Sequence, residues 1–226
     1  MSATAHEARA ELVAVAQALD AAGLMPNKSG NVSVRTPVGL VITPAGTPYA
    51  ELTPASLVEL ALAENGDTPN FQVRKSGVSL FSRPSSEWRL HAAIYRAYPD
   101  VGAIVHTHSP KATALACAGL GIPPFHYMIA LAGGDVRCMP YATFGTAELA
   151  MHAVRGLEGR RATLLANHGV VATGPTLAVA RAVALEVENL AGQWLTLRAA
   201  GLEPKLLDAT ELARVIERFA GYGRLG

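Results

Sequence analysis

Two histidines separated by one residue, His106 and His108, are the residues of this chain best suited to chemistry. They end the apolar run 103–105, and alternate residues of a β-strand point to the same face, so the two imidazoles should lie side by side where a strand ends. His168 ends another short apolar run, and Glu87 offers a carboxylate near a predicted helix start. Zinc prefers this set of nitrogen and carboxylate donors, and cobalt or manganese also accept it. The pattern predicts a divalent metal site.

A single histidine on an apolar strand is usually structural, so the prediction of a metal site rests on several such residues occurring together. Several imidazoles near a buried sheet lose hydration, and a shared metal ion satisfies them together. His91 follows Glu87 by four residues, one turn along the same predicted helix. It could contact a metal ligand without binding the metal itself, but we expect it to serve helix packing.

The residues before Glu87 could bind an anion. Ser85 and Ser86 followed by an acid are ordinary helix N-cap chemistry. The same free N–H groups and helix dipole also bind phosphate. Two further turns, residues 29–31 and 43–46, combine a hydroxyl or amide with a glycine that lets the backbone approach a ligand. Each is merely a turn on its own, and together they could complete a phosphate site.

Alternating strand and helix patterns must position these groups. We expect a mixed or mostly antiparallel sheet flanked by helices, because many short strands need no crossover helix. Helices are predicted at 5–22, 84–98, from 109, at 146–156, 176–200 and 208–220. Strands are predicted as a hairpin over 31–43 and at 56–62, 71–74, 77–81, 103–108, 162–167 and 169–173.

Composition excludes several classes of protein. The 226 residues show no dividing linker, which predicts one domain over 1–226. With 19 basic and 18 acidic residues and no long charge run, nucleic acid is not an expected partner. No apolar stretch is long enough for a membrane span and no secretory signal is visible, so we expect a cytoplasmic protein. Cys117 and Cys138 are expected to be buried free thiols.

These motifs occur together, in this order, in a known family. The chain resembles the class II aldolase and adducin-head family over residues 29–223, nearly its whole length. The strings that carry the resemblance are SGNVSVR, LVITPAGTPYAELT, PSSEWRLH, VHTH, HYMIALAGG, PYATFGTAEL, ATLLANHG and FAGYG. VHTH with NHG is specific for the family at large, whereas PSSEWR, HYMIA and PYATFGT are typical of its phosphoketose aldolases.

The resemblance implies a three-layer αβα fold and a zinc-dependent aldolase that cleaves a ketose 1-phosphate to dihydroxyacetone phosphate and a small aldehyde. His106, His108 and His168 would hold the metal, with Glu87 as a displaceable ligand that also serves as acid and base. Tyr127 would be a proton donor. The matching phosphate-binding positions are Gly30, Asn31, Gly46, Ser85 and Ser86. Phe144 and Tyr222 would shape the aldehyde pocket. The family also implies a homotetramer with active sites between subunits.

Two positions depart from the aldolase pattern. Ala45 stands where the pattern has threonine, and Lys28 stands where it has a neutral threonine. Lys28 could contact a phosphate, or it could mark a substrate with a carboxylate. The alternative functions are therefore a metal-dependent decarboxylase of the same fold, a sugar-phosphate epimerase, which the narrower strings disfavour, and a non-catalytic assembly module like the adducin heads.

Overall fold

A seven-stranded mixed sheet forms the centre of the molecule. The computed structural model describes residues 3–62 and 83–221, so the strands expected at 71–74 and 77–81 lie outside the described residues. The order across the sheet is β3-β2-β1-β4-β7-β6-β5, with β5 parallel to β6 and every other described pair antiparallel. The strands are β1 (Asn31–Thr36), β2 (Gly39–Ile42), β3 (Val58–Ala61), β4 (Ala103–Thr107), β5 (Arg137–Met139), β6 (Ala162–Leu165) and β7 (Gly169–Gly174).

Six α-helices accompany the sheet within the described ranges. They are α1 (Ala3–Ala21), α2 (Trp88–Ala97), α3 (Pro110–Cys117), α4 (Ala147–Gly156), α5 (Leu177–Ala199) and α6 (Ala209–Gly221). Short 3₁₀ turns lie at Pro26–Lys28, Tyr49–Glu51 and Tyr127–Ala132. None of the helices in these ranges combines the length and the apolar character that crossing a bilayer requires.

Each face of the sheet has its own apolar core. The two-residue period of β4 directs Ala103 and Val105 into the core that includes residues of α1, α3 and α5, and directs Ile104 into the core shared with α2 and α4. The three layers of the αβα fold are thereby confirmed. His106 continues the Ile104 face, so it emerges on the α2 side of the sheet.

Two local expectations were wrong. The second helix begins at Trp88 rather than at Pro84, because Pro84 pairs with Pro44 in an isolated β-bridge and residues 85–87 form a turn. Cys117 is exposed and Cys138 half-buried, although both were expected in the core. Cys117 is the last residue of α3, and residues 118–120 after it are exposed as well.

Candidate metal centre and anion pocket

Four predicted ligands converge at one end of the sheet. His106 lies in β4, His108 follows the end of that strand, His168 lies in the turn between β6 and β7, and Glu87 is the N-cap of α2. One ligand atom from each lies within 4.8 Å of all the others. The three rings are nearly perpendicular to one another, at 74° to 90°, with centroids 4.9 to 5.0 Å apart. Such rings surround a shared point rather than stack.

The spacing of the donor atoms suits a small divalent ion. Glu87 Oε2 is 3.0 Å from His106 Nε2, which is 3.1 Å from His108 Nε2. A tetrahedral shell with bonds of about 2.0 Å separates its donors by about 3.3 Å. Glu87 Oε1 lies 3.0 Å from His168 Nε2, yet this buried oxygen has no hydrogen-bond partner of good geometry among the described residues. A carboxylate oxygen in that position suits contact with a cation.

Charge and hydrogen bonding set the protonation of the ligands. Burial alone would lower the pKa of His106, but the adjacent Glu87 carboxylate outweighs it and raises that pKa in the metal-free chain. The hydrogen bond between His106 Nδ1 and the Val170 carbonyl, at 2.8 Å, leaves Nε2 as the atom that faces the centre. Burial, together with His106 and His168, lowers the pKa of His108 to about 3, so its ring is neutral near pH 7. Burial alone would raise the pKa of Glu87, but the two adjacent histidines outweigh it and hold that pKa well below its usual range. The carboxylate is therefore ionised.

A tight turn brings the backbone of residues 28–31 against the metal ligands. Gly30 has φ +88°, and a Cβ there would lie 2.6 Å from the His106 carbonyl oxygen, so only glycine fits. The buried Tyr49 hydroxyl donates to the Gly30 carbonyl at 2.7 Å and anchors this turn. Asn31 then pairs with His106 across the antiparallel β1 and β4. Lys28, two residues before the glycine, is also at positive φ.

The segments 43–46 and 83–86 meet beside this turn. The Ala45 N–H donates to the Arg83 carbonyl at 2.9 Å, and the Ser85 N–H donates to the Thr43 carbonyl at 3.2 Å. These two backbone hydrogen bonds join the predicted donor-rich turn to the start of α2. The sequence predicted the two segments separately, and the fold makes them one wall of a pocket.

Free hydrogen-bond donors face that pocket. The Ser85 hydroxyl accepts from the Glu87 N–H at 3.3 Å, which leaves its own proton available. The backbone N–H groups of Gly46 and Ser86 make no hydrogen bond to another described residue. Glu87, the N-cap residue, makes no side-chain capping bond, so its carboxylate does not serve to cap α2. Unpaired N–H and O–H donors before a helix are groups that bind anions in proteins.

Most predicted site residues line this one pocket of about 340 Å³. Tyr141 and Asn167 also line it, and neither was predicted as a site residue, although both stand inside the quoted strings PYATFGT and NHG. His106 is fully buried beside the pocket. The predicted residues in the lining are Lys28, Gly30, Asn31, Gly46, Ser85, Ser86, Glu87, His108, Phe144 and His168.

Tyr127 is not brought to the pocket of its own chain. Tyr127 is 53% exposed, is absent from the pocket lining, and has its ring centroid 6.2 Å from that of Phe219. Tyr222 lies outside the described residues. Phe144 does line the pocket, although 65% of its surface is exposed.

The interpretation of His91 as a helix-packing residue was incomplete. Its ring is fully buried on α2, and both ring nitrogens hydrogen-bond to polar side chains of β1, namely Asn31 and Ser33. Burial and the nearby His106 lower the pKa of His91 to about 3, so the ring is neutral near pH 7. Both partners lie about sixty residues away in the sequence, so no local spacing predicts these contacts.

Comparison with known proteins agrees with this geometry. Residues 10–195 match the family model described as "Class II Aldolase and Adducin N-terminal domain". The 5-methylthioribulose-1-phosphate/5-deoxyribulose-1-phosphate aldolase of Rhodospirillum rubrum is 48% identical over 214 residues, which cover 94% of this chain and 90% of the relative. The L-fuculose phosphate aldolase of Escherichia coli K12 is 43% identical over 202 residues, or 89% of this chain and 88% of the relative.

A solved structure gives the same result for the fold. An L-fuculose 1-phosphate aldolase superposes with a TM-score of 0.85 at 36% identity, over 95% of this chain and 96% of the other. The family match covers most of the chain, and the relatives match it along nearly their whole lengths. The chain therefore belongs to the class II aldolase and adducin N-terminal domain family, as an enzyme of the class II aldolase type.

Proposed function

We propose that this protein reversibly cleaves a ketose 1-phosphate into dihydroxyacetone phosphate and a small aldehyde. One observation carries the proposal: the Glu87 and three-histidine cluster lies beside a pocket whose other wall carries free hydroxyl and N–H donors. A substrate with a phosphate at one end and vicinal carbonyl and hydroxyl oxygens at the other matches this arrangement. The relatives are named for activity on fuculose, 5-deoxyribulose and methylthioribulose phosphates, which supports the same substrate class.

The proposed ion is zinc, with cobalt or manganese as alternatives, held by His106, His108 and His168. When bound, it supplies Lewis-acid stabilisation of the negative charge that develops on the substrate oxygens during carbon–carbon cleavage. The three imidazoles are neutral ligands, so they leave the ion its full positive charge. Glu87 is the fourth, displaceable ligand.

Phosphate recognition is assigned to the anion pocket. Ser85 and Ser86 present hydroxyl groups at the start of α2, and the Gly46 N–H faces the same space. Gly30 lets the backbone approach closely, and the Asn31 amide lies at the boundary between phosphate and metal. The phosphate thereby fixes the substrate so that its reacting carbons lie near Glu87.

Two groups handle the protons. Cleavage removes the proton from the hydroxyl that becomes the aldehyde oxygen, and the remaining three-carbon enediolate takes up a proton at carbon. Glu87 is assigned the transfer at carbon, because its ionised carboxylate lies against the metal ligands. Tyr127 is assigned the proton at the aldehyde oxygen, while Phe144 and Tyr222 shape the aldehyde end.

Tyr127 requires a second subunit to perform this role, because its ring lies outside the pocket of its own chain. We propose a homotetramer in which Tyr127 of the partner subunit completes each site. Mixing an inactive Glu87→Gln chain with an inactive Tyr127→Phe chain should restore part of the activity, since mixed assemblies contain some sites with both groups intact. Absence of recovery in assemblies shown to be mixed would exclude a shared site.

The direct test of the function is product formation. The purified metal-loaded protein is incubated with dihydroxyacetone phosphate and a panel of small aldehydes, and each adduct is identified by mass spectrometry and NMR. We expect a ketose 1-phosphate from at least one aldehyde, and the reverse cleavage of that product. A protein that holds its metal but forms no adduct with any aldehyde would exclude the aldolase assignment.

Lys28 and Ala45 favour one alternative, a decarboxylase of the same fold. Both line the anion pocket, so a cation stands near a wall that lacks the threonine hydroxyl of the aldolase pattern. If the ligand is phosphate, Lys28→Thr should weaken phosphate binding modestly, and adding Ala45→Thr should restore part of the lost affinity. Release of CO₂ from a carboxylated substrate, with strong dependence on Lys28 and no advantage for phosphorylated ketoses, would favour the decarboxylase instead.

A further inference from the structure

A buried chain of hydrogen bonds runs from the core to Glu87. Asn31 Nδ2 donates to Glu87 Oε2 at 3.1 Å, and Asn31 Oδ1 contacts His91 Nε2. His91 Nδ1 is 2.6 Å from the Ser33 hydroxyl, which is 2.8 Å from the Tyr95 hydroxyl. These four supporting side chains are at most 2% exposed, so no solvent substitutes for a missing partner.

The chemistry of the groups gives this chain a single direction. The Asn31 oxygen can only accept, so His91 must carry its proton on Nε2 and donate it. Its Nδ1 then accepts the Ser33 proton, and the Ser33 oxygen is left to accept from Tyr95. Every donor in the chain points toward the Glu87 carboxylate, and hydrogen bonds in series polarise one another.

We propose that His91 is a positioning residue that fixes the orientation of the Asn31 amide and, through it, the Glu87 carboxylate. The inference rests on the proposed role of Glu87 as metal ligand and proton carrier. An amide turned by 180° would place its oxygen against Glu87 Oε2, and two acceptors would then face each other. A turned amide would also present N–H groups to the His91 N–H, so His91 and the Glu87 carboxylate together hold the observed orientation.

The arrangement does more than fill space on α2. Glu87 Oε2 lies 3.0 Å from His106 Nε2, so the same oxygen meets the Asn31 amide and the metal ligands. When the substrate displaces Glu87 from the ion, the amide remains as its fixed partner. His91 itself touches neither substrate nor metal. Through Asn31, it limits the positions that the Glu87 carboxylate can take.

The test separates positioning from packing by two substitutions at one site. His91→Leu removes the donor, whereas His91→Gln keeps an N–H able to reach Asn31. Affinity of the metal-free protein for Zn²⁺ is measured by chelator competition, and the visible spectrum of bound Co²⁺ reports the ligand geometry. We expect His91→Leu to weaken Zn²⁺ about 10- to 100-fold and alter the Co²⁺ spectrum, and His91→Gln to restore most of both.

A matched control and a double variant exclude general destabilisation. Ile94→Val lies on the same buried helix face without a polar contact, and it should lower the unfolding midpoint while leaving Zn²⁺ affinity unchanged. In an Asn31→Ala background, His91→Leu should add little further loss of affinity, because the two residues act in series. An unchanged affinity in His91→Leu, an equal loss in Ile94→Val, or full additivity with Asn31→Ala would each overturn the proposal.

These measurements need no substrate. A protein without aldolase activity would contradict the proposed function, and the Zn²⁺ and Co²⁺ data would still decide the role of His91. If the function holds, His91→Leu should lower kcat more than it raises KM for the ketose phosphate, because His91 makes no hydrogen bond to Gly46, Ser85 or Ser86, which still hold the phosphate.

Discussion

Replacing Ser86 by alanine should reduce the enzyme's preference for phosphorylated substrates. Ser86 is exposed at the start of α2 and lines the anion pocket, so the substitution removes one hydroxyl and keeps the backbone N–H and the helix. A hydrogen bond from a hydroxyl to a charged phosphate contributes about 1.5–3 kcal/mol, and each 1.4 kcal/mol is a factor of about ten. Solvent competes at this exposed position, so we expect the lower end, a rise of about tenfold in KM for dihydroxyacetone phosphate.

The assay compares two donor substrates with one aldehyde held constant. KM and kcat are measured for dihydroxyacetone phosphate and for unphosphorylated dihydroxyacetone, with inorganic phosphate and sulfate as competitors. Ser86→Ala should weaken the phosphorylated donor and both inhibitors by a similar factor, and should leave the unphosphorylated donor unchanged. Ser85→Ala is the less clean choice, since its hydroxyl also accepts from the Glu87 N–H. Equal effects on both donors, or none on either, would refute the placement of the phosphate.

Three further changes test the metal centre and its surroundings. His106→Ala should remove the bound metal, measured by elemental analysis, and the activity together, whereas the matched control His152→Ala should retain both; full metal occupancy in His106→Ala would contradict the ligand assignment. Glu87→Gln should retain much of the metal and lose on the order of 10²–10⁴ in turnover, and near-normal turnover would reduce Glu87 to a structural role. Because the pKa of His91 is lowered to about 3, the metal-free folded chain loses stability as the pH falls below about 6.5, where only the unfolded chain protonates this ring. His91→Gln should therefore flatten the dependence of unfolding free energy on pH by about one proton between pH 6 and 4, measured by urea unfolding, and an identical slope would show that the ring is protonated in the fold.

The metal ligands were predictable because strand geometry relates residues that are close in sequence. His106 and His108 share a face by the two-residue period, and a polar ring after each apolar run indicated a strand end. The sequence could not say that β4 and β7 are neighbours, and that pairing is what brings His168 to the other two rings. Long-range strand order depends on packing of the whole sheet.

The anion pocket could not be predicted from the sequence for a different reason. Each donor-rich turn looked ordinary alone, and the hydrogen bonds that join residues 43–45 to 83–85 connect segments about forty residues apart. The start of α2 was misjudged because the Pro84 bridge delays the helix. His91 was undervalued for a similar reason, since its two partners come from β1 and no local pattern reveals them.

The pairing of β1 with β4 also determines what a slip in strand register would do to the protein. Asn31 stands opposite His106, and Val32 stands opposite Val105 on the other face. A slip of one residue would turn Asn31 and Ser33 toward the apolar core of α1 and α5, and would turn Val32 toward the metal ligands. Polar groups without partners and a disordered metal site would arise in the same step. A misregistered chain is thus both unstable and inactive, so selection for catalysis alone also preserves the correct alignment of the central strands.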